Sequence, residues 1–323
     1  MNRDIIAIGG SAGSPETLRE IVSTLPSSFT GNVFLVVHIG HSRSRMAELL
    51  ATAARLPVSF ARDGEAIEAA HIYVAPTDRH LLVERGVLRL SRGPREHFTR
   101  PAIDPLFRSV ATAYGERVIG VVLSGGGSDG AAGLDTIKRA GGIAVILDPQ
   151  DAAVADMPQA AAEVVGPDFI AAEADLPSLL VRLSLEPIPA AGSKPPSPLP
   201  EPISMLEQPL ALTCPECGGA LRKSGNGPAA QYRCHIGHIF GATELLPAQL
   251  ELIEKAVDVV QRVLNERIEL SRQMAEDSRM AGRKYGQQYW ERVLAEAEKQ
   301  ANAIRQVVPE LAGNGLKLQE ASE

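Results

Sequence analysis

Residues 5–13 read Ile5-Ile6-Ala7-Ile8-Gly9-Gly10-Ser11-Ala12-Gly13, and Pro15 opens a helical stretch directly after them. An apolar run, a G-x-S-x-G turn and a helix in that order form the arrangement called a nucleophile elbow. Glycines belong there because the serine must sit on a sharp turn too crowded for most residues with a Cβ. The elbow holds the hydroxyl out toward solvent. It also leaves backbone N–H groups at the following helix N-terminus, where a developing negative charge is stabilised. A nucleophilic Ser11 would make the chain a hydrolase and require a histidine and a carboxylate at other strand ends.

Working outward from this turn, strand-like runs at 4–9, 33–38, 71–75, 118–124 and 143–147 are rich in Val, Ile and Leu, with no polar alternation. Helical stretches fall near 15–25, 43–54, 103–114, 130–140 and 157–163. Continuous apolar strands between helices predict an α/β domain, doubly wound, with a mainly parallel sheet covered on both faces. Residues 81–91 break the rhythm as a β-hairpin around Arg85-Gly86. In such sheets, sites gather beyond the carboxyl ends of the strands.

The chain of 323 residues carries 32 basic and 39 acidic side chains, a net charge of −7 that argues against nucleic acid as a partner. No apolar run reaches the roughly 20 residues of a membrane span, and residues 1–4 lead into a strand rather than a signal peptide, so no membrane insertion is expected. Three cysteines confined to one short segment point away from a disulfide framework and toward a reducing compartment, the cytoplasm.

A serine hydroxyl needs a base. Of seven histidines, His38 ends the strand that follows the elbow, which in a parallel sheet sets it beside Ser11. A solvated strand-end side chain is the plain alternative. His41, His80 and His97 lie in loops and are weaker candidates, and His71 starts its strand at the wrong edge. Asp129 follows the apolar run 118–124 inside Gly125-Gly126-Gly127-Ser128-Asp129-Gly130, just before a helix. It reads either as the acid that orients the imidazole or as the N-cap of that helix; the direction of its carboxylate decides. The four glycines around it exceed what a cap requires and would let N–H groups approach an oxyanion. A nucleotide site is disfavoured, because the first turn lacks G-x-G-x-x-G spacing and no Gly-Lys-Ser/Thr loop occurs.

Taken together, these blocks resemble the catalytic domain of the CheB family, the chemotaxis protein-glutamate methylesterases, over about residues 4–185. The resemblance rests on Ile6–Gly13, Val37-His38, Ile72–His80, Arg100–Phe107 and Gly120–Gly133, five blocks in order. It implies a Ser11–His38–Asp129 triad that hydrolyses glutamate methyl esters on chemoreceptors, releases methanol, uses no catalytic cofactor and in some members also deamidates receptor glutamines. It further implies backbone N–H donors to the oxyanion at Gly126 and Ala12. Ala12 stands where the family often has threonine, Gly126 where it has methionine and Ser128 where it has asparagine, changes that bear on rate and substrate choice. Family members usually carry a receiver domain before the catalytic one. Here the first strand begins at Asp4, so control is expected from another polypeptide or from the C-terminal half, or to be absent. Arg43, Arg45, Arg92, Arg95 and Arg100 in two loops would guide docking on an acidic receptor bundle or form a solvated surface.

The catalytic domain is expected to span 1–186, followed by a proline-rich linker over 187–211. A small module over 212–242 contains Cys214-Pro215-Glu216-Cys217 and Cys234-His235-Ile236-Gly237-His238. Cys214, Cys217, Cys234 and His238 suit a structural zinc ribbon, with His235 the less suited histidine because neighbouring strand side chains point apart. A redox C-x-x-C or unpaired thiols are the alternatives. Residues 243–312 read helical, interrupted near Gly282 and Gly286, with apolar seams at Leu250, Ile253, Val257, Val260 and Leu264 and at Trp290, Val293, Ala297, Ala301, Ile304 and Val308. They would form a helical hairpin, or a coiled coil with a homodimer or signalling partner, ahead of a flexible tail over 313–323. Two other functions compete with the protein methylesterase: a weakly active or inactive signalling scaffold binding through ribbon and helices, and a small-ester hydrolase.

Overall fold

The computed structural model describes residues 2–38, 44–188, 209–225, 227 and 230–320, with side chains up to residue 306. His41, Arg43, most of the 187–211 stretch, the Val308 side chain and residues 321–323 lie outside the described residues. The chain forms two compact units, Met1–Glu244 and Leu245–Glu323.

Unit one is built on a seven-stranded sheet in which every neighbouring pair is parallel. Its strands are β1 (Ile5–Gly10), β2 (Asn32–Val37), β3 (Val58–Phe60), β4 (Ile72–Val74), β7 (Val118–Val122), β8 (Ile143–Leu147) and β9 (Phe169–Ala171), in the order β3-β4-β2-β1-β7-β8-β9. The hairpin β5 (His80–Glu84) and β6 (Val87–Ser91) stands apart from it, turning at Arg85-Gly86. Helices α1 (Ser14–Thr24), α2 (Met46–Ala51), α3 (Ile103–Tyr114), α4 (Ala131–Arg139), α5 (Asp156–Val165) and α6 (Leu176–Leu185) supply the covering layers. The continuous apolar strands have a physical reason: alternate residues of β1 feed two different cores, Ile6 and Ile8 one, Ile5 and Ala7 the other. Strands β3 and β9, only three residues each, escape the sequence pattern, as does α6.

The order reverses at β1, which has β2 on one side and β7 on the other. In open sheets of this kind, ligands bind at such a switch point, beyond the carboxyl ends of the strands. Here β1, β2 and β7 are the strands that precede Ser11, His38 and Asp129.

A three-stranded antiparallel ribbon, β10 (Leu221–Ser224), β11 (Gln231–Cys234) and β12 (Ile239–Gly241), completes unit one. It packs on the sheet domain. Phe240, fully buried, meets Phe98 with ring centroids 4.6 Å apart, and the His97 N–H donates to the Ile239 carbonyl at 2.7 Å.

Unit two pairs α7 (Ala242–Met280), which starts within unit one, with α8 (Lys284–Glu320). The chain reverses through residues 281–283, with Gly282 at φ 67°, while Gly286 lies inside α8. Contacts of Arg272 with Glu298 and of Arg305 with Asn265 make the pair an antiparallel hairpin. Ala297 and Ala301 of the second expected seam are buried, whereas Ile253 and Val260 of the first are exposed. The α8 backbone stays helical to Glu320, past the expected tail boundary. Gly313 and Gly315 weaken a helix without removing a hydrogen bond, so the ladder can pass them. Among the described residues, no helix is long and apolar enough to cross a membrane.

Candidate active site

Ser11 leaves β1 on a turn held by its own backbone. Its N–H donates to the Ser124 carbonyl at 2.8 Å, and its carbonyl accepts from the Ser14 N–H and hydroxyl at 3.1 and 2.7 Å. Gly13 sits at φ 82°, a conformation that favours glycine. Opposite, a Cβ on Gly125 would lie 2.6 Å from the Ser11 Cβ, so only glycine lets the two turns approach this closely.

The parallel register puts Gly10 opposite Val37, and the His38 N–H donates to the Gly10 carbonyl at 3.0 Å. The next residues along the two strands are Ser11 and His38. The His38 ring turns Nε2 toward Asp129 Oδ2 at 2.8 Å, with the Thr99 hydroxyl 3.4 Å from the same nitrogen. Nδ1 is therefore the ring nitrogen left for a hydroxyl. Ser11 Oγ has no hydrogen-bond partner among the described residues; contacts of this kind are often long before substrate binds and tighten in its complex.

Asp129 does not cap its own helix. Gly130, at φ 94°, precedes α4, and the Asp129 carboxylate points instead at the N-terminus of α3. There Oδ2 accepts from the Ile103 N–H at 2.7 Å and Oδ1 from the Asp104 N–H at 3.0 Å. Asp104 returns the arrangement, its Oδ1 accepting from the Gly130 and Gly133 N–H groups at 3.1 and 2.7 Å. Each aspartate thus caps the other's helix, satisfying N–H groups that helix ends leave without partners. Burial alone would raise the Asp129 pKa. The His38 hydrogen bond, the charges of His97 and His38 and the Ile103 N–H outweigh it and hold the carboxyl well below the usual carboxylate range. A carboxylate so fixed stays ionised and can orient an imidazole and stabilise its charged form.

Around this site, the Gly125 N–H is used by the Val154 carbonyl and the Gly127 N–H by Asp156. The N–H groups of Gly126 and Ala12 have no partner among the described residues. These two unengaged donors flank the serine turn.

The remaining histidines have other partners. His80 ties loops together, Nε2 to the Pro94 carbonyl at 2.9 Å and Nδ1 to the Ala102 N–H at 3.2 Å. His71 stacks on Tyr73 and bonds Ser59. His97 is buried with both ring nitrogens engaged, Nε2 by Asp104 at 3.1 Å and Nδ1 by Glu244 at 2.8 Å. Burial opposes its charge, but Glu244, Asp104 and Asp129 together raise its pKa well above the ordinary value. Of the arginines read as docking groups, Arg100 is committed to Asp78 and to the Arg92 and Gly93 carbonyls. Arg95 lies 3.9 Å from Glu216.

In the ribbon, Cys214, Cys217, Cys234 and His238 bring their donor atoms within 4.8 Å of one another. Cys217 and Cys234 sulfurs are 3.7 Å apart, and His238 Nδ1 is 3.6 and 3.5 Å from the sulfurs of Cys214 and Cys234. A tetrahedron with metal–sulfur bonds of about 2.3 Å has edges of about 3.8 Å, so the set fits zinc. His238 Nε2 meets Glu216 at 2.9 Å, the kind of outer partner that orients a metal-bound imidazole. Exposed His235 stays outside the cluster.

Three residues of this region were not read from sequence as site residues: Asp104, His97 in its paired role, and Glu244. Asp104 offered one signal, an acid in the first turn of a helix. Glu244 offered none, being 147 positions from its partner His97.

A doubly wound α/β domain with serine, histidine and aspartate at the ends of three adjacent strands defines the class. The CheB methylesterase family profile matches residues 6–180. A putative protein-glutamate methylesterase/protein-glutamine glutaminase from Leptospira interrogans is 38% identical over 185 residues, 57% of this chain and 96% of that protein. Protein-glutamate methylesterase/protein-glutamine glutaminase 1 of Rhodospirillum rubrum is 42% identical over 169 residues, 50% of this chain and 43% of that longer protein. The crystal structure of the Thermotoga maritima CheB methylesterase catalytic domain superposes with a TM-score of 0.53 at 31% identity, covering 56% of this chain and 98% of that one. The chain belongs to the CheB methylesterase family.

Proposed function

We propose that this protein is a protein-glutamate methylesterase that works by a Ser11–His38–Asp129 mechanism on methylated chemoreceptors in the cytoplasm. Ser11 Oγ attacks the ester carbonyl carbon while its proton passes to His38 Nδ1, and Asp129 holds the ring through Nε2. The tetrahedral oxyanion takes hydrogen bonds from the Gly126 and Ala12 N–H groups; one such donor typically contributes about 10²–10³ in rate. Collapse breaks the carbon–methoxy bond, and His38 returns its proton to the leaving group, releasing methanol. Water, deprotonated by His38, then adds to the acyl carbonyl; the carbon–Oγ bond breaks, His38 passes the proton to Ser11 Oγ, and the glutamate carboxylate leaves. A glutamine amide would follow the same course with ammonia leaving, in keeping with the glutaminase half of the relatives' names.

The observation that carries this reading is the 2.8 Å His38–Asp129 contact at the end of the strand paired with the serine strand. The ribbon's zinc, held by Cys214, Cys217, Cys234 and His238, is assigned a structural role, since all four positions of a tetrahedron are taken by protein.

The test is methanol release and receptor mass on a purified, methylated chemoreceptor cytoplasmic fragment. Wild type should lower the mass by one methylene per site, and Ser11→Ala should lose at least about 10³ in rate. Equal turnover by both would reject Ser11 as nucleophile. Equal rates on a free glutamate γ-methyl ester would instead make the chain a small-ester hydrolase.

A further inference from the structure

The profile match ends at residue 180, yet a carboxylate from far beyond it reaches the rim of the site. Glu244 lies in the first turn of α7, directly after the ribbon, and is part of unit one. Its Oε2 accepts from the Gly241 N–H at 2.5 Å, which by itself is half of an ordinary capping box. A cap needs nothing more. Glu244 does more: Oε1 accepts from both the N–H and the hydroxyl of Ser128, at 2.8 and 2.7 Å, and Oε2 also meets His97 Nδ1.

Ser128 is the residue before Asp129, and Gly130 is the residue after it. Glu244 pins the first, and Asp104 pins the second through its N–H. His97 joins the two carboxylates, Nδ1 to Glu244 and Nε2 to Asp104, and stands 3.9 Å from Asp129 Oδ1. Gln231 of the ribbon adds a further contact to Asp104 at 3.1 Å. Three carboxylates thus face this ring, Glu244, Asp104 and Asp129, and Arg108 stands behind one of them, 3.9 Å from Asp104 and bonded to Glu96.

We propose that Glu244, supplied by the C-terminal extension, is a positioning residue for the esterase site, holding the 125–130 turn through Ser128 and His97 so that Asp129 meets His38. The inference rests on the Ser11–His38–Asp129 reading. A segment with four glycines in six residues has an unusually free backbone, so contacts from outside, Glu244 among them, help to fix its shape.

The test uses the full-length, metal-loaded protein with two readouts, the NMR signals of the His38 ring and the rate at which a fluorophosphonate labels Ser11. Glu244→Ala should shift or broaden the His38 Nε2–H signal and leave the remote His71 ring unchanged. Labelling should slow by about 10- to 100-fold, the effect of a misplacement of about 1 Å. Glu244→Gln can keep only one of the two arms, since its amide nitrogen does not accept, and should fall between wild type and Ala; it serves if the Ala variant does not fold. Unchanged His38 signals and labelling in both folded variants would overturn the proposal. Failure of wild type itself to react with the probe would overturn the esterase reading, while the His38 signal still decides the role of Glu244.

Discussion

Two histidine–aspartate pairs lie side by side at one rim of the sheet, and the proposed mechanism uses only one of them. His38–Asp129 and His97–Asp104 have similar lengths, 2.8 and 3.1 Å, and each aspartate caps a helix. They differ in the other ring nitrogen. His38 has Nδ1 without a hydrogen-bond partner among the described residues, and its side chain is 12% exposed. His97 spends Nδ1 on Glu244 and is 4% exposed. A base needs one ring nitrogen open to the reacting proton. With both engaged by carboxylates, the ring instead becomes a buried cation that joins segments. Proximity to an acid is common to both; the free nitrogen separates chemistry from structure.

The sharpest way to break this comparison is to neutralise each aspartate in turn. Asp129→Asn should cost about 10⁴ in kcat per folded molecule for methanol release, because the amide favours the wrong tautomer of His38; it also lowers stability, since one amide oxygen cannot replace both acceptors of the Ile103 and Asp104 N–H groups. Asp104→Asn should act mainly on stability. It removes one of three carboxylates facing His97 and weakens the acceptor of the Gly130 and Gly133 N–H groups, a cost of about 1–3 kcal/mol in denaturant titration, with a smaller loss of rate per folded molecule than Asp129→Asn. Matching losses of rate in the two variants would erase the distinction drawn here.

Metal removal is expected to reach the His38–Asp129 pair only through Glu244 and the His97–Asp104 pair that the ribbon touches. Structural zinc sites of this size draw about 10–16 kcal/mol from the metal, so chelation should unfold the ribbon, seen as rapid hydrogen exchange over 221–241. Ser11 labelling should then drop to the level of Glu244→Ala and no further. A cluster that binds no zinc, or a ribbon that keeps its protection without it, contradicts the assignment.

The smallest effect is on pH dependence. Burial pushes the Glu244 carboxyl up, but His97, Ser128 and the Gly241 N–H overcome this and bring it from 4.5 to about 2. Its contribution to stability is present above pH 4.5 and lost as the pH falls toward 2. The raised pKa of His97 works in the opposite sense, contributing fully below 6.5 and fading as the pH climbs through the raised folded value. Thermal melts across about pH 3–9 should show both limbs in wild type, and Glu244→Ala should flatten them.

Much of the site was legible in the chain because parallel strands bring their carboxyl ends together. Ser11 and His38 are neighbours by register, and Gly125 to Gly130 marks the third strand end without reference to any other residue. The cysteine cluster was legible for a similar reason, since its four donors fall in two short turns. Less could be read where short strands at the sheet edges are only partly buried, as in β3 and β9, or where an exposed face such as that of Ile253 and Val260 follows a seam-like spacing.

From the residues alone came the apolar runs that build the sheet, the elbow at Ser11 and the place of Asp129 at a third strand end, all of them consequences of local pattern and chain order. Tertiary structure decided where the Asp129 carboxylate points, that Asp104 answers it, and that Glu244 reaches this rim. Those facts depend on which helix end needs a partner for its N–H groups and on which buried charge needs a counter-charge, and such needs are set by neighbours in space.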